Sequence, residues 1–420
     1  MHGQFFRFQN RGDRVQESGP FRRQITTPMR SILIVLDSLG IGPAPDADRY
    51  GDWGADTLGH VFAHTPELAL PALFSMGLGE VLAGGRREFP GLRASYGRMR
   101  IRSPGKDSVT GHWEMAGVIL REPFTVYERL PPQLIEAIET EANVQFLGRD
   151  GRVEDSRQFW KEHAAAGRPI IEVLPGESAI GITAHESIVN RRRLYDISRI
   201  ARRHANAHRI AKIIAQPLTG KPGAYTNASG RHEYPMVPPR TVLNAISETG
   251  LVVEGIGKIP DIFAHSGVTH AHPTRTNAEA LASIERIWER MPDGLIFANL
   301  GEFDRHGHAR DVAAYAKSLA EFDHWLGSFL PKIARDDLLI ITADHGNDPT
   351  FRGNDHTREE VPLLAHYDGI TRPMGTRDTL ADIAATLADF FHLPDPWPAG
   401  GPFLRFKPRE TGRFRARRGG

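Results

Sequence analysis

Three runs of apolar residues punctuate the chain, at 31–36, 295–300 and 338–343, and each ends close to an aspartate: Asp37, Asp304 and Asp344. Their apolarity is continuous rather than alternating. That is the pattern of a strand covered on both faces, so the runs predict a parallel sheet between helix layers. Sites in such sheets form at the carboxyl ends of the strands, which predicts that the three aspartates meet. Helical periodicity follows at 311–330, with Ala314, Leu319, Phe322, Leu326 and Phe329 on one face, and at 378–391, with Leu380, Ile383, Ala384 and Leu387. Strand then helix, repeated, is an α/β plan.

Between residues 123 and 239 the texture changes. Charged stretches (Arg191-Arg192-Arg193, then 199–209), turn signals and a Gly/Pro-rich run at 217–230 replace the strand–helix rhythm. This predicts a smaller α+β cap domain over 123–239, inserted into a core of 30–122 and 240–404. Residues 1–29 read as an extension or disordered arm, and 405–420 as a basic, disordered tail.

Composition narrows the chemistry. The chain has 420 residues, 40% apolar and 25% charged, long enough for a large domain carrying a second. No apolar run approaches the length of a bilayer span, so no membrane partner is expected. With no cysteine there can be no disulfide, thiolate metal site or cysteine nucleophile, which leaves oxygen and imidazole ligands and fits a reducing, cytoplasmic setting. Residues 1–29 carry +3 and 405–420 carry +6, which leaves the body at −8 against a chain total of +1. The basic ends read as solvated segments, with nucleic acid disfavoured as a partner. An acidic body suits metal-binding carboxylates.

Asp37, Asp304 with His308 four residues on, Asp344 beside His345, and His356 supply three carboxylates and three imidazoles. A lone strand-end Asp is more often a helix cap, and this chain has 19 histidines to draw on. Capping does not explain three strand-end aspartates with histidines at fixed offsets. Six such ligands suffice for two divalent ions about 3.5–4 Å apart, the arrangement that clamps a transferring phosphoryl group. The nucleophile lies elsewhere: Gly105-Lys106-Asp107-Ser108-Val109-Thr110-Gly111-His112-Trp113-Glu114 offers two hydroxyls that a bound cation could activate. The alternative is a turn whose Ser and Thr only cap the following helix.

These segments together resemble the phosphopentomutases of the alkaline phosphatase superfamily, over about residues 30–404. The resemblance is carried by Asp37-Ser38-Leu39-Gly40, residues 51–60, the stretch from Gly105 to Glu114, Gly257-Lys258-Ile259, and Asp344-His345-Gly346-Asn347-Asp348-Pro349 followed by Asp355-His356-Thr357-Arg358. It implies an alkaline phosphatase-like core with a mostly parallel sheet between helix layers. One ion would fall to Asp304, His308 and His356, and the other to Asp37, Asp344 and His345, with Ser108 the phosphorylated nucleophile, near or bridging both ions. Manganese is the family's usual ion; the ligand set alone does not separate it from zinc or magnesium. A sugar bisphosphate is the expected activator. The implied reaction interconverts ribose (or deoxyribose) 1-phosphate and 5-phosphate. A phosphatase or phosphodiesterase, or a mutase on another sugar phosphate, is the alternative enzyme, and a non-catalytic metal-binding protein a third reading.

The chain departs from the family pattern at several points. Ser108 stands where threonine is usual, the Asp304–His308 spacing is one residue short, Gln216 replaces a cap arginine and Glu177 replaces an aspartate. Glu177, Arg231 and Lys212 are the expected sugar-phosphate contacts, Lys212 because it would lie one helical turn before Gln216. The oligomeric state is left open.

Overall fold

The computed structural model describes residues 29–84, 91–149, 156–174, 177–221 and 224–406; the expected arm before residue 29 and the basic tail from 407 onward lie outside them. The strands are β1 (Arg30–Leu36), β2 (Ser95–Met99), β3 (Ile170–Val173), β4 (Ala179–His185), β5 (Lys212–Lys221), β6 (Ala224–Asn227), β7 (His232–Pro235), β8 (Val253–Ile256), β9 (His270–His272), β10 (Gly294–Leu300), β11 (Leu338–Thr342), β12 (Val361–His366) and β13 (Pro373–Arg377).

An eight-stranded sheet runs in the order β13-β2-β12-β11-β1-β10-β8-β9. From β11 to β9 all neighbours are parallel, while β12 pairs antiparallel with both β11 and β2. The three apolar runs are its centre, β11-β1-β10. Every residue of β10 and β11 is buried, as is β1 beyond Arg30. Val35 sits opposite Thr342 and Leu36 opposite Leu300, so the three strands end at one level. Parallel pairing in that register is what brings the aspartates together.

The helix expected at 311–330 forms as Val312–Phe329, burying Leu319, Phe322, Leu326 and Phe329. The one expected at 378–391 starts later, as Asp382–Phe390. Buried Glu114 is the reason: its carboxylate accepts the Thr379 hydroxyl at 2.7 Å and the Leu380 N–H at 3.0 Å, holding that stretch as a turn.

A second sheet, β3-β4-β5-β6 with β7 paired to β5, lies wholly within the segment expected to be inserted. One face packs under helices Pro132–Ala142 and Arg191–Ala205, in a separate apolar cluster including Ile138, Ile180, Ile182, Leu194, Ile197 and Ile213. Registers put Glu172, Thr183, Lys212, Gln216 and Glu233 on the other face, among buried Ile170 and Ile214. The Gly/Pro-rich run at 217–230 supplies the second half of β5 and all of β6. Residues 212–216 are strand, not helix. At about 3.3 Å per residue Lys212 stands about 13 Å from Gln216. The expected placement one helical turn before Gln216 is therefore wrong, and Lys212 pairs with Glu177 at 2.8 Å.

Candidate active site

Asp37 directly follows β1, Asp344 follows β11, and Asp304 sits in the first turn of helix Glu302–Ala309, just beyond β10. That helix places His308 one turn after Asp304. All six expected ligand residues fall into two groups, Asp37/Asp344/His345 and Asp304/His308/His356, the ligand atoms of each lying within 4.8 Å of one another. In the second group His308 Nε2 and His356 Nε2 are 3.0 Å apart, and Asp304 Oδ1 lies 3.3 and 3.2 Å from them. Ligand atoms sharing one ion at about 2.1 Å stand about 3.0–3.4 Å apart, so the spacing fits. His308 Nδ1 lies 2.6 Å from the Asn354 carbonyl, so it carries the proton and leaves Nε2 with its lone pair.

The first group is fully buried. Asp344 Oδ1 accepts the backbone N–H of Ser38 at 3.0 Å, and Ser38 holds the left-handed conformation (φ 78°) that aims this donor. Asp37 Oδ1 is buried with no hydrogen-bond partner, and buried Asp344 Oδ2 makes no well-formed hydrogen bond, with the ring nitrogens of His112 and His345 each 3.2 Å away. A buried carboxylate oxygen without a donor is costly, and a cation is the remedy this donor set is suited to. Burial and the neighbouring Asp344 raise the Asp37 carboxyl above its ordinary range. Burial would raise Asp344 too, but His345 and His112 outweigh it and hold it well below. At Asp304 burial is likewise overcome, here by Lys258 and His356.

Ser108 opens helix Ser108–Met115, whose N-cap is Asp107. The Asp107 carboxylate accepts the Thr110 N–H at 3.0 Å and the Thr110 hydroxyl at 2.6 Å. Capping therefore occupies Thr110 and leaves Ser108 unused by the cap. Its Oγ lies 3.1 Å from His345 Nε2, against the first group and at the positive end of the helix. Gly111 permits this approach: a β-carbon there would lie 2.4 Å from the Asp344 carbonyl oxygen. The loop before Ser108 hangs on buried Arg358. That guanidinium pairs with Asp46 (3.1 and 3.0 Å) and donates to the carbonyls of Ser103 (2.8 Å), Gly105 (2.6 Å) and Ile101 (2.5 Å).

Several residues near the ligands had been given no role from sequence. Lys258 Nζ donates to Asp37 Oδ2 at 2.7 Å and Asp304 Oδ2 at 3.1 Å. Burial alone would lower this ammonium, but Asp37 and Asp304 raise it above its ordinary value. Asn299 donates to Asp37 Oδ2 at 3.0 Å, and Asn347 to Asp304 Oδ1 at 3.1 Å. His112 lies 2.8 Å from the Ser108 carbonyl and 3.2 Å from Asp344. Asn299 left a readable signal, a lone amide in an otherwise apolar strand; Lys258 left its place just after β8, within the Gly257-Lys258-Ile259 stretch that carries the resemblance.

The expected substrate contacts lie in the second sheet and its approaches. Arg231 pairs with Glu233, at 2.5 Å, and the Gln216 amide donates to the Pro217 carbonyl at 2.8 Å. Strand β7 contacts helix Ile259–Ile262, the helix that follows Lys258. None of Glu177, Lys212 and Arg231 belongs to either ligand group.

Residues 29–395 match the family model described as the metalloenzyme superfamily. A phosphopentomutase of Symbiobacterium thermophilum is 41% identical over 87% of this chain and 95% of its own length. A phosphopentomutase of Anaeromyxobacter dehalogenans is 42% identical over the same shares. Among solved structures, phosphoglycerate mutase of Leishmania mexicana aligns at 14% identity and a TM-score of 0.46, covering 91% of this chain and 99% of that one.

Proposed function

Since this chain belongs to the phosphopentomutases, within the metalloenzyme superfamily, we propose that it interconverts pentose 1- and 5-phosphates on Ser108, with one divalent ion in each acid–imidazole group. Manganese is the ion we assign, and the cytoplasm the compartment. The observation that carries the assignment of roles is the convergence, at one end of one sheet, of both ligand groups and a serine hydroxyl that the helix cap leaves facing His345.

Bound divalent ions would supply charge for the phosphoryl oxygens and favour the ionised serine oxygen. Asp304, His308 and His356 would hold one, and Asp37, Asp344 and His345 the other. The protein's own groups do the rest. Phospho-Ser108 passes its phosphoryl group to the free hydroxyl of the bound pentose monophosphate: the serine P–O bond breaks, a bond to the sugar oxygen forms, and that oxygen gives up its proton. The bisphosphate then presents its other end. Ser108 Oγ attacks that phosphorus, the sugar oxygen leaves and takes a proton, and the isomeric monophosphate departs. A sugar bisphosphate supplies the first phosphoryl group.

We take 123–239 as a cap whose face opposite the helices meets the sugar phosphate, with Glu177, Lys212 and Arg231 its contacts. Both cations among them are already paired, Lys212 with Glu177 itself and Arg231 with Glu233. Substrate must compete for them. Such a cover also keeps water from the phosphoserine, which separates a mutase from a phosphatase. Incubation with manganese and ribose 1-phosphate tests the reading. Ribose 5-phosphate should accumulate as substrate disappears, and inorganic phosphate released at that same rate would make the protein a phosphatase.

A further inference from the structure

The two ligand groups share one cation of the protein itself. Lys258 Nζ reaches Oδ2 of Asp37, in one group, at 2.7 Å, and Oδ2 of Asp304, in the other, at 3.1 Å. Two opposite roles are open to an ammonium so placed. It could occupy the charge well that an ion would fill, and so oppose metal. It could instead brace the outer oxygens of the ligands and aim the inner ones.

The choice of oxygens decides between them. On Asp304 the imidazole nitrogens of His308 and His356 gather at Oδ1, at 3.3 and 3.2 Å, and Lys258 takes Oδ2. On Asp37 the atom nearest His345 Nε2 is Oδ1, at 3.6 Å, which is also the oxygen left without a hydrogen bond. Lys258 and Asn299 take Oδ2. In both carboxylates the oxygen facing the imidazoles is the one the lysine leaves alone. Outer contacts of this kind fix a ligand's orientation and raise its basicity.

We infer that Lys258 is a positioning residue that couples the two metal sites, holding one carboxylate of each through its outer oxygen so that both inner oxygens are aimed by a single side chain. Asn299 serves one group only: it donates to Asp37 and lies 3.2 Å from His112, which stands against Asp344 of that same group. The inference rests on the two-ion reading above, and one titration separates the failure of either. The full-length protein, stripped with a chelator and titrated calorimetrically with Mn²⁺, should take up two ions. If it takes up none, the two-ion reading falls and this inference with it.

With two ions bound by the parent protein, Lys258→Met should weaken both sites, each by about 10–100-fold. Lys258→Arg should recover part of the loss at both. Asn299→Ala should weaken one site and spare the other, a selectivity that a general loss of stability would not produce. Unchanged or tighter binding in Lys258→Met would assign the lysine the opposing role and overturn the inference, as would weakening at one site only. Should Lys258→Met not fold, Lys258→Gln decides: its shorter amide can serve only one carboxylate, so the two sites should become unequal, and parental affinities would overturn the coupling.

Discussion

At the residue level the site turns on which hydroxyl is free. Thr110 is tied through both its N–H and its hydroxyl to Asp107, whereas Ser108 faces His345. Ser108→Ala should therefore abolish isomerisation, by on the order of 10³-fold or more in kcat, while Thr110→Ala should act chiefly on stability. Ser108→Thr keeps the hydroxyl at the same helical position and should retain phosphoryl transfer; steady-state assays on the three variants check the ranking. Residue type alone left the two hydroxyls level, because capping depends on the turn geometry around Asp107; the family resemblance was what pointed to Ser108. The six candidate ligands were legible, since residue type and strand-end position suffice for them. Lys258 and Asn299 were not, because their roles depend on which oxygen of Asp37 each one reaches.

At the level of elements, the helix that opens with Ser108 must come close to the end of β11. Alanine at position 111 would favour the helix intrinsically by about 1 kcal/mol, yet its β-carbon would meet the Asp344 carbonyl at 2.4 Å. Gly111→Ala should thus cost about 1–3 kcal/mol by overpacking. It should lower kcat as well, as Ser108 is pushed off His345. An unchanged melting temperature and rate would contradict this packing.

The inserted sheet has a pH response of its own. Buried His163 Nε2 accepts the His185 N–H at 2.9 Å, and its Nδ1 lies 2.6 Å from the Arg168 carbonyl. The ring is held neutral, and burial lowers its pKa from the ordinary 6.5. Below about pH 6.5 the unfolded chain gains a proton that the folded one refuses, so this contribution is complete above that pH and is lost as pH falls through the folded value. Thermal unfolding across pH 5–8 should show that slope, and His163→Gln should flatten it while lowering the plateau. The strands of this region were hidden in the sequence. Its charged and turn-rich texture masked short amphipathic strands, and the strand at 212–216 could pass for a helical turn because a Lys–Gln pair carries no period.

For the whole molecule, the core sheet was the legible part: unbroken apolar runs specify doubly covered strands, and neighbouring parallel strands give the site its location. The additions β2, β12 and β13 were not, because β2 meets β12 and β13 across hundreds of positions and β12 alone reverses the strand direction. The acidic cluster at the sheet's end couples metal to the fold. Chelation should stop turnover, and adding Mn²⁺ back at about 100 times its Kd should raise stability by about 2.7 kcal/mol. A melting temperature indifferent to the ion would show that the ligand groups are not metal sites.

The most direct test of the account is the location of the phosphoryl group. Protein loaded with manganese and incubated with a pentose bisphosphate should, by mass spectrometry of its peptides, carry one phosphate, on Ser108, and lose it to added ribose 5-phosphate. Phosphate on any other residue, or none on Ser108 in enzyme that still isomerises its substrate, would contradict it.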